Sequence, residues 1–312
     1  MESEYIKAVD IEKLYGEKVA LVDIHFSIRE KEIFGFIGPD GAGKTTLFRL
    51  LTTLLKPNNG KMTVDGHDVV QEYKILRRKI GYMPGRFSLY LDLSVEENLN
   101  FYATIFGTSI EENYHLIEDI YKQIEPFKKR LAKNLSGGMK QKLALSCALI
   151  HNPDLLILDE PTTGVDAVSR MEFWEMLKRL KEKNITIVVS TPYMDEAILC
   201  DRVALMQEGR IMTVNSPEGI IKSFDKDIYA VRSENFYRMM LDLKKYEHVY
   251  SVFPFGQHVH YIDKRDNFQV DDLLAYLKKM NHKQVEMMKI QPGIEDCFMD
   301  LMKRKDKKRE VE

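Results

Sequence analysis

Long apolar runs are missing from this sequence. The longest, such as the one around Ala144 to Ile150 that Ser146 interrupts, fall far short of the ~20 residues that span a bilayer. Work at a membrane would therefore need another chain to cross it. Cysteine is scarce as well. Cys147, Cys200 and Cys297 lie far apart with no C-x-x-C pair, which argues against a disulfide framework or zinc site and predicts three buried small hydrophobes. No surplus of positive charge exists either. Forty-six Lys and Arg against 48 Asp and Glu leave a formal net charge of -2, which argues against a nucleic-acid binder steered by a basic surface. The opening MESEYIKAVD lacks the basic start, apolar middle and small-residue cleavage site of a secretory signal, so the expected compartment is the cytosol. His258 and His260 alternate on one predicted strand with no third ligand nearby, and are read as half-exposed strand positions rather than a metal site. The final run KRKDKKREVE mixes its bases with Asp306, Glu310 and Glu312 and reads as a solvated tail.

What is present fills 312 residues, 44% of them hydrophobic, enough for one large domain and a smaller one. Up to about residue 220, strand-like and helical segments alternate, the pattern of a parallel sheet with crossover helices. EIFGFIG is a buried-strand run, and Leu47, Leu50, Leu51, Leu54 and Leu55 follow at helical spacing, predicting a helix that stops before Pro57. Asp65-Gly66 between β-formers predicts a short hairpin. From about 88 to 135 strand runs vanish, and Ser94 three residues before Glu97 marks a capping box; this stretch reads as a helical insertion. Residues 226–292 give the order βαββαβ of a ferredoxin-like α+β domain, and 293–312 a terminal helix with the charged tail.

The chemistry concentrates in three places. Gly38, Gly43, Lys44 and Thr45 in GPDGAGKT fit G-x-x-x-x-G-K-[ST] after a strand and at the start of a helix. The loop Gly38, Pro39, Asp40, Gly41, Ala42 and Gly43 can turn successive N–H groups toward phosphate, and the helix N-terminus adds partial positive charge. Lys44 supplies a point charge, Thr45 a hydroxyl for Mg²⁺, and Thr46 follows in the first turn. LLILDE is an apolar strand ending in Asp159 and Glu160, where one carboxylate can hold Mg²⁺ and the other polarise an attacking water. Between them stands LSGGMKQ, with Ser136, Gly137 and Gly138 before a helix, a second ready anion site.

LSGGMKQ, together with the P-loop and the acidic strand, resembles the signature of ABC-type ATPases. The resemblance covers 1–222 closely and the remainder loosely. It implies a P-loop NTPase fold of class α/β, with a parallel-sheet core, an antiparallel β subdomain and the helical insertion. It further implies ATP and Mg²⁺ as cofactors, Glu160 as the catalytic base, Thr45 and Asp159 at the metal, and Tyr15 in KLYG as the ring on which adenine stacks. In the family, Ser136, Gly137 and Gly138 would face ATP held by a second ABC ATPase domain in a head-to-tail dimer, with Asp166 in the dimer-contacting loop. The insertion, near Phe87, Leu89 and Tyr90, would touch a transmembrane permease on a separate chain, and the C-terminal unit resembles the accessory domain of exporter subunits. Such a subunit is peripheral on the inner face of the cell membrane and binds no nucleic acid.

Three positions depart from the family pattern. Gly85 in GYMPGR stands where a glutamine usually contacts Mg²⁺ and water, and the adjacent Arg86 has no acceptor to replace it. Pro192 in VVSTPYMDEA, read as a strand running into a helix, stands where a histidine usually contacts the γ-phosphate. Asp40 adds a carboxylate where an uncharged polar residue is commoner. The first two losses fall on the site built from this chain's own P-loop. They imply an asymmetric assembly, a heterodimer in preference to a homodimer, in which the intact signature serves the partner's ATP. The alternative is an ATP-dependent regulatory clamp of the same superfamily that drives no transport.

Overall fold

The computed structural model describes residues 4–309, with side chains through 304; the rest of the charged tail lies outside them. The chain divides into two compact units, Met1–Glu218 and Gly219–Glu312. The division falls just ahead of the boundary at 222 read from the sequence. Among the described residues no helix is long and apolar enough to cross a membrane.

In the first unit, β1 (Glu4–Tyr15) and β2 (Lys18–Arg29) pair antiparallel, and β3 (Ile33–Ile37) leads through the phosphate loop to α1 (Lys44–Leu51). β4 (Asn59–Val64) and β5 (His67–Asp68) form the expected hairpin, in register Thr63↔Asp68 and Val64↔His67. Asp65 and Gly66 turn it with φ of 49° and 75°, the left-handed pair such a tight turn demands. α2 (Tyr73–Lys79) and β6 (Ile80–Met83) follow, then the insertion with α3 (Val95–Phe106) and α4 (Ile110–Tyr121). The chain returns through α5 (Gly137–Leu149), β7 (Leu155–Asp159), α6 (Ala167–Glu182), β8 (Thr186–Thr191), β9 (Arg202–Gln207) and β10 (Arg210–Asn215). Two sheets result, β2-β1-β4-β5 and β10-β9-β3-β8-β7-β6. In the second, β9, β3, β8, β7 and β6 are parallel and β10 closes the edge antiparallel.

Both sheets share one core. Ile6, Ile24, Phe26 and Ile28 from the antiparallel sheet meet Phe34, Phe36, Ile157 and Val188 from the parallel one, with Leu47, Phe48, Leu50 and Leu51 of α1 in the same cluster. Phe26, Phe36 and Phe48 form a chain of edge-to-face rings at 5.0 and 5.8 Å, a geometry that adds to their area burial. The core therefore fixes the base of α1, and with it the phosphate loop.

α1 ends earlier than its leucine spacing predicts. Thr53 turns left-handed at φ 62°, the N–H groups of Leu54 and Leu55 both donate to the Arg49 carbonyl, and Leu54 is exposed. This reversal satisfies the last carbonyls of α1 and takes Leu54 and Leu55 off the helix. The capping box at α3 is present in full: Glu97 N–H donates to Ser94 Oγ at 3.2 Å, and Ser94 N–H to Glu97 Oε2 at 2.7 Å. Loss of an N-cap hydroxyl costs about 1 kcal/mol, so Ser94→Ala should lower the thermal midpoint of this unit by about 2–4 °C, read by calorimetry.

The short helix α7 (Pro217–Lys222) spans the division. In the second unit come β11 (Ile228–Arg232), α8 (Phe236–Lys245), β12 (Val249–Phe255), β13 (His258–Asp263), α9 (Val270–Lys279), β14 (Glu286–Ile290) and α10 (Ile294–Arg309). Its sheet order β12-β13-β11-β14, with every neighbour antiparallel, is the arrangement that the βαββαβ pattern specifies. Val231, Met239, Leu243, Val259, Tyr261, Leu273 and Leu277 form its own core. One expectation fails here. His260 is buried rather than half-exposed, because its Nδ1 pairs with Asp296 Oδ1 at 2.7 Å and Phe255 stacks on its ring. All three cysteines are buried; burial pushes the Cys147 and Cys200 thiols far above the usual range, which leaves them inert.

Candidate nucleotide site

The phosphate loop and the acidic pair sit beyond the carboxyl ends of the parallel strands, where doubly wound sheets place their ligands. β3 runs into the phosphate loop, β7 into Glu160, β8 into Pro192, β6 into Gly85, and β9 into Glu208. Gly38 begins the loop with no room for a side chain: a Cβ there would stand 2.2 Å from the Met206 carbonyl oxygen. Gly43 caps α1 at φ 102° with no side-chain hydrogen bond. The leading N–H groups of α1 are thus not claimed by a cap and are open to an anion.

Lys44 is 3% exposed and donates to the carbonyls of Gly38 at 2.8 Å and Pro39 at 3.1 Å. Its third neighbour is Glu160 Oε1 at 3.2 Å. The loop carbonyls orient the ammonium, and a cation so nearly buried is stable only with such partners. Glu160 itself is held at φ 51°, its N–H donating to Ser190 Oγ at 3.0 Å and to the Ser190 carbonyl. Ser190 Oγ in turn donates to Asp159 Oδ1 at 2.6 Å. A strand-end serine, which sequence reasoning passed over, therefore fixes both acids; the signal was a pair of hydroxyls, Ser190 and Thr191, closing the apolar run VVST.

An open cleft of about 450 Å³ brings together Tyr15, Gly41 to Thr46 and Glu160, and adds Lys18, Ala20, Glu208 and Gly209. Those last four were not foreseen, although Glu208-Gly209 is a readable turn dipeptide. Tyr15 is 44% exposed, with the Lys13 ammonium 5.7 Å from its ring centre. Pro39 and Asp40 are exposed on the loop outside the residues that line the cleft. Ser136, Gly137 and Gly138 lie elsewhere. Ser136 caps α5, its Oγ accepting from Met139 N–H at 3.3 Å while its own proton remains available to donate. A Cβ on Gly137 would stand 3.6 Å from the Gly164 carbonyl, and one on Gly138 3.2 Å from Ser169 Oγ. Asp166 caps α6 in the same region, accepting from Val168 and Ser169, and these bonds hold its carboxyl below the usual range. Ser136 and Gly137 are exposed, and none of the three signature residues lines the chain's own cleft.

Residues 21–163 match the family described as ABC transporter. The probable multidrug ABC transporter ATP-binding protein YbhF of Escherichia coli is 37% identical over 92% of this chain, and the match spans 50% of that protein. The Nod factor export ATP-binding protein I of Burkholderia orbicola is 37% identical over 69% of this chain and 71% of its own length. The chain belongs to the ABC transporter ATP-binding family. Among solved structures, cbiO1 of Clostridium perfringens, part of the ABC transporter complex cbiONQ, aligns at a TM-score of 0.64 with 28% identity, covering 71% of this chain and 92% of that one. The dimeric ATP-binding cassette MJ0796 bound to ADP and Pi aligns at 0.62 with 28% identity, covering 68% and 98%.

Against the ABC pattern, the two departures have a geometric meaning. A Cβ on Gly85 would stand 3.0 Å from the Asp159 carbonyl and 3.7 Å from Asp159 Oδ2, so a side chain here would enter the space beside the acidic strand end. The Asp159 carboxylate and Thr45 hydroxyl are hard oxygen donors of the kind Mg²⁺ takes, and the residues present fit that ion. Burial, then the Asp159 charge, pushes the neighbouring Tyr82 phenol up to about 12, so it stays neutral beside them. Pro192 follows Thr191, whose carbonyl accepts from Gly38 N–H, which places the proline beside the phosphate loop with no N–H and no polar side chain to offer. The expected helix after it is only a 3-10 turn, Met194–Leu199.

The insertion separates the residues expected at its surface. Leu89 is buried; Tyr90 is exposed and packs edge-on against Phe101 at 4.8 Å. Beside them a cleft of about 140 Å³ runs between the end of β6 and the insertion, lined by Pro84, Leu89, Tyr102, Phe106, Cys147 and His151.

Proposed function

We propose that this chain is the ATP-binding subunit of an ABC exporter whose permease is a separate polypeptide. The convergence of Lys44 and Glu160 at 3.2 Å, inside a cleft walled by the phosphate loop and Tyr15, carries the reading. The names of the relatives, multidrug transport and Nod factor export, favour export.

In this reading adenine stacks on Tyr15, the loop amides and Lys44 hold the β- and γ-phosphates, and Thr45 and Asp159 hold Mg²⁺, which supplies charge neutralisation when bound. Glu160 accepts a proton from water as its oxygen bonds to the γ-phosphorus; the bond from that phosphorus to the bridging oxygen breaks, and its electrons leave with ADP. Gly85 and Pro192 withhold two groups that would orient the water, so the chain's own site turns over slowly. Its signature, Ser136 to Gly138, completes the ATP site of a partner ATPase domain in a head-to-tail heterodimer. The permease docks on the cleft between β6 and the insertion.

The deciding experiment isolates the tagged chain from membranes in mild detergent and identifies what accompanies it. A multi-span permease together with a second ATPase domain is the expected result. Recovery of the chain alone or with soluble partners, with ATP binding intact, would instead assign it to the clamp class.

A further inference from the structure

The segment that follows Pro192 is gripped from outside. Arg170, in the first turn of α6, donates from Nε to Glu196 Oε1 at 3.0 Å and from Nη2 to the Asp195 carboxylate at 3.1 and 3.3 Å. Its guanidinium lies 4.2 Å from the centre of the Tyr193 ring. One planar fork thus holds three of the four residues between Tyr193 and Glu196, using the flat, multi-donor geometry that distinguishes arginine from lysine. Glu196 is 2% exposed and its second oxygen, Oε2, is buried without a hydrogen-bond partner. The contact with Arg170 is its compensating charge.

The other end of this grip matters as much. Arg170 N–H bonds to the Asp166 carbonyl, within the cap that orders the loop after Glu160. Gly137 and Gly138 of the signature rest on that same loop and cap, at Gly164 and Ser169. We propose that Arg170 is a positioning residue: it links the loop after β8, beside the chain's own phosphate site, to the signature turn offered to the partner. A change at Pro192 on nucleotide binding is then transmitted to α6 and the signature through one guanidinium. The proposal rests on the ATP-binding reading above and adds to it a route by which the chain's own ATP regulates the site it completes for its partner.

Trp174, the single tryptophan of the sequence, sits one turn beyond Arg170 on α6 and is 2% exposed, so its emission reports on that helix. The full chain is titrated with Mg-ATP while Trp174 fluorescence is followed, and bound ATP is measured separately by equilibrium dialysis. The variant Arg170→Met with Glu196→Gln removes the link without leaving an unpaired buried charge. It should bind ATP within about two-fold of wild type, since the phosphate contacts are untouched, yet lose the ATP-induced change in emission. Arg170→Lys, which keeps a charge beside Glu196, guards against misfolding of the double variant and should also lose most of the change. A full emission change in a folded variant, or none in a wild-type chain that binds ATP, overturns the proposal. A wild-type chain that binds no ATP overturns the proposed function instead.

Discussion

Replacing Glu160 with glutamine should abolish most ATP turnover at this chain's site while sparing ATP binding. Glutamine keeps the size of the side chain and faces the same left-handed backbone, so the N–H bonds to Ser190 that seat the residue should survive. What disappears is the acceptor for the proton of water, and a positioned general base is worth roughly 10²- to 10⁴-fold in rate. Affinity should hold, because the phosphate contacts come from Lys44 and the loop amides. Loss of the ion pair with Glu160 also leaves Lys44 on its loop carbonyls without a competing carboxylate. Phosphate release by the purified chain and by its assembled complex reads the two composite sites separately. A turnover that survives Glu160→Gln in the isolated chain would show that another group serves as the base.

Restoring the two missing groups should act in the opposite direction. The double variant Gly85→Gln with Pro192→His returns an amide beside Asp159 and an imidazole beside the phosphate loop, and each preorganised partner of the attacking water is worth of order 10² in rate. The gain at position 85 is reduced by crowding: its Cβ must fit 3.0 Å from the Asp159 carbonyl, so the backbone after β6 has to give by a few tenths of an ångström. Pro192→His meets no such wall in the hydrogen-bond pattern, because the proline contributes no N–H to replace. The histidine change alone should therefore raise turnover more than the glutamine change alone. If neither single nor double variant turns ATP over faster, the losses at 85 and 192 do not limit the rate and the asymmetric assembly loses its basis.

The phosphate loop and the local turns are legible in the sequence, for a physical reason. A phosphate loop needs glycines where backbone approaches anion or neighbouring strand, as at Gly38 against Met206, and it needs lysine and a hydroxyl in the next turn. Those demands are local, so they survive in the text as a fixed spacing. The hairpin at Asp65-Gly66 and the capping box at Ser94 are local in the same sense. What stayed hidden depends on contacts between residues distant in sequence. Ser190 bridges the acids across adjacent strands, His260 finds Asp296 from 36 residues away, and Arg170 meets Glu196 only because α6 packs beside the loop after β8. Helical spacing also misled at Leu54 and Leu55, since periodicity reports which residues are apolar and not where the backbone reverses.

The left-handed backbone at Glu160 has a consequence for how this chain can drift. A non-glycine residue held there costs about 1–3 kcal/mol, which glycine would remove at no steric cost. Glycine would also remove the carboxylate that pairs with the nearly buried Lys44, so the backbone gain is set against the loss of that partner. If its own site turns over slowly, as proposed, the chain still keeps its acid at a position whose backbone favours glycine. Once a lineage abandons hydrolysis, only the pairing with Lys44 opposes that relaxation, and Glu160→Gly is the change such a lineage should show.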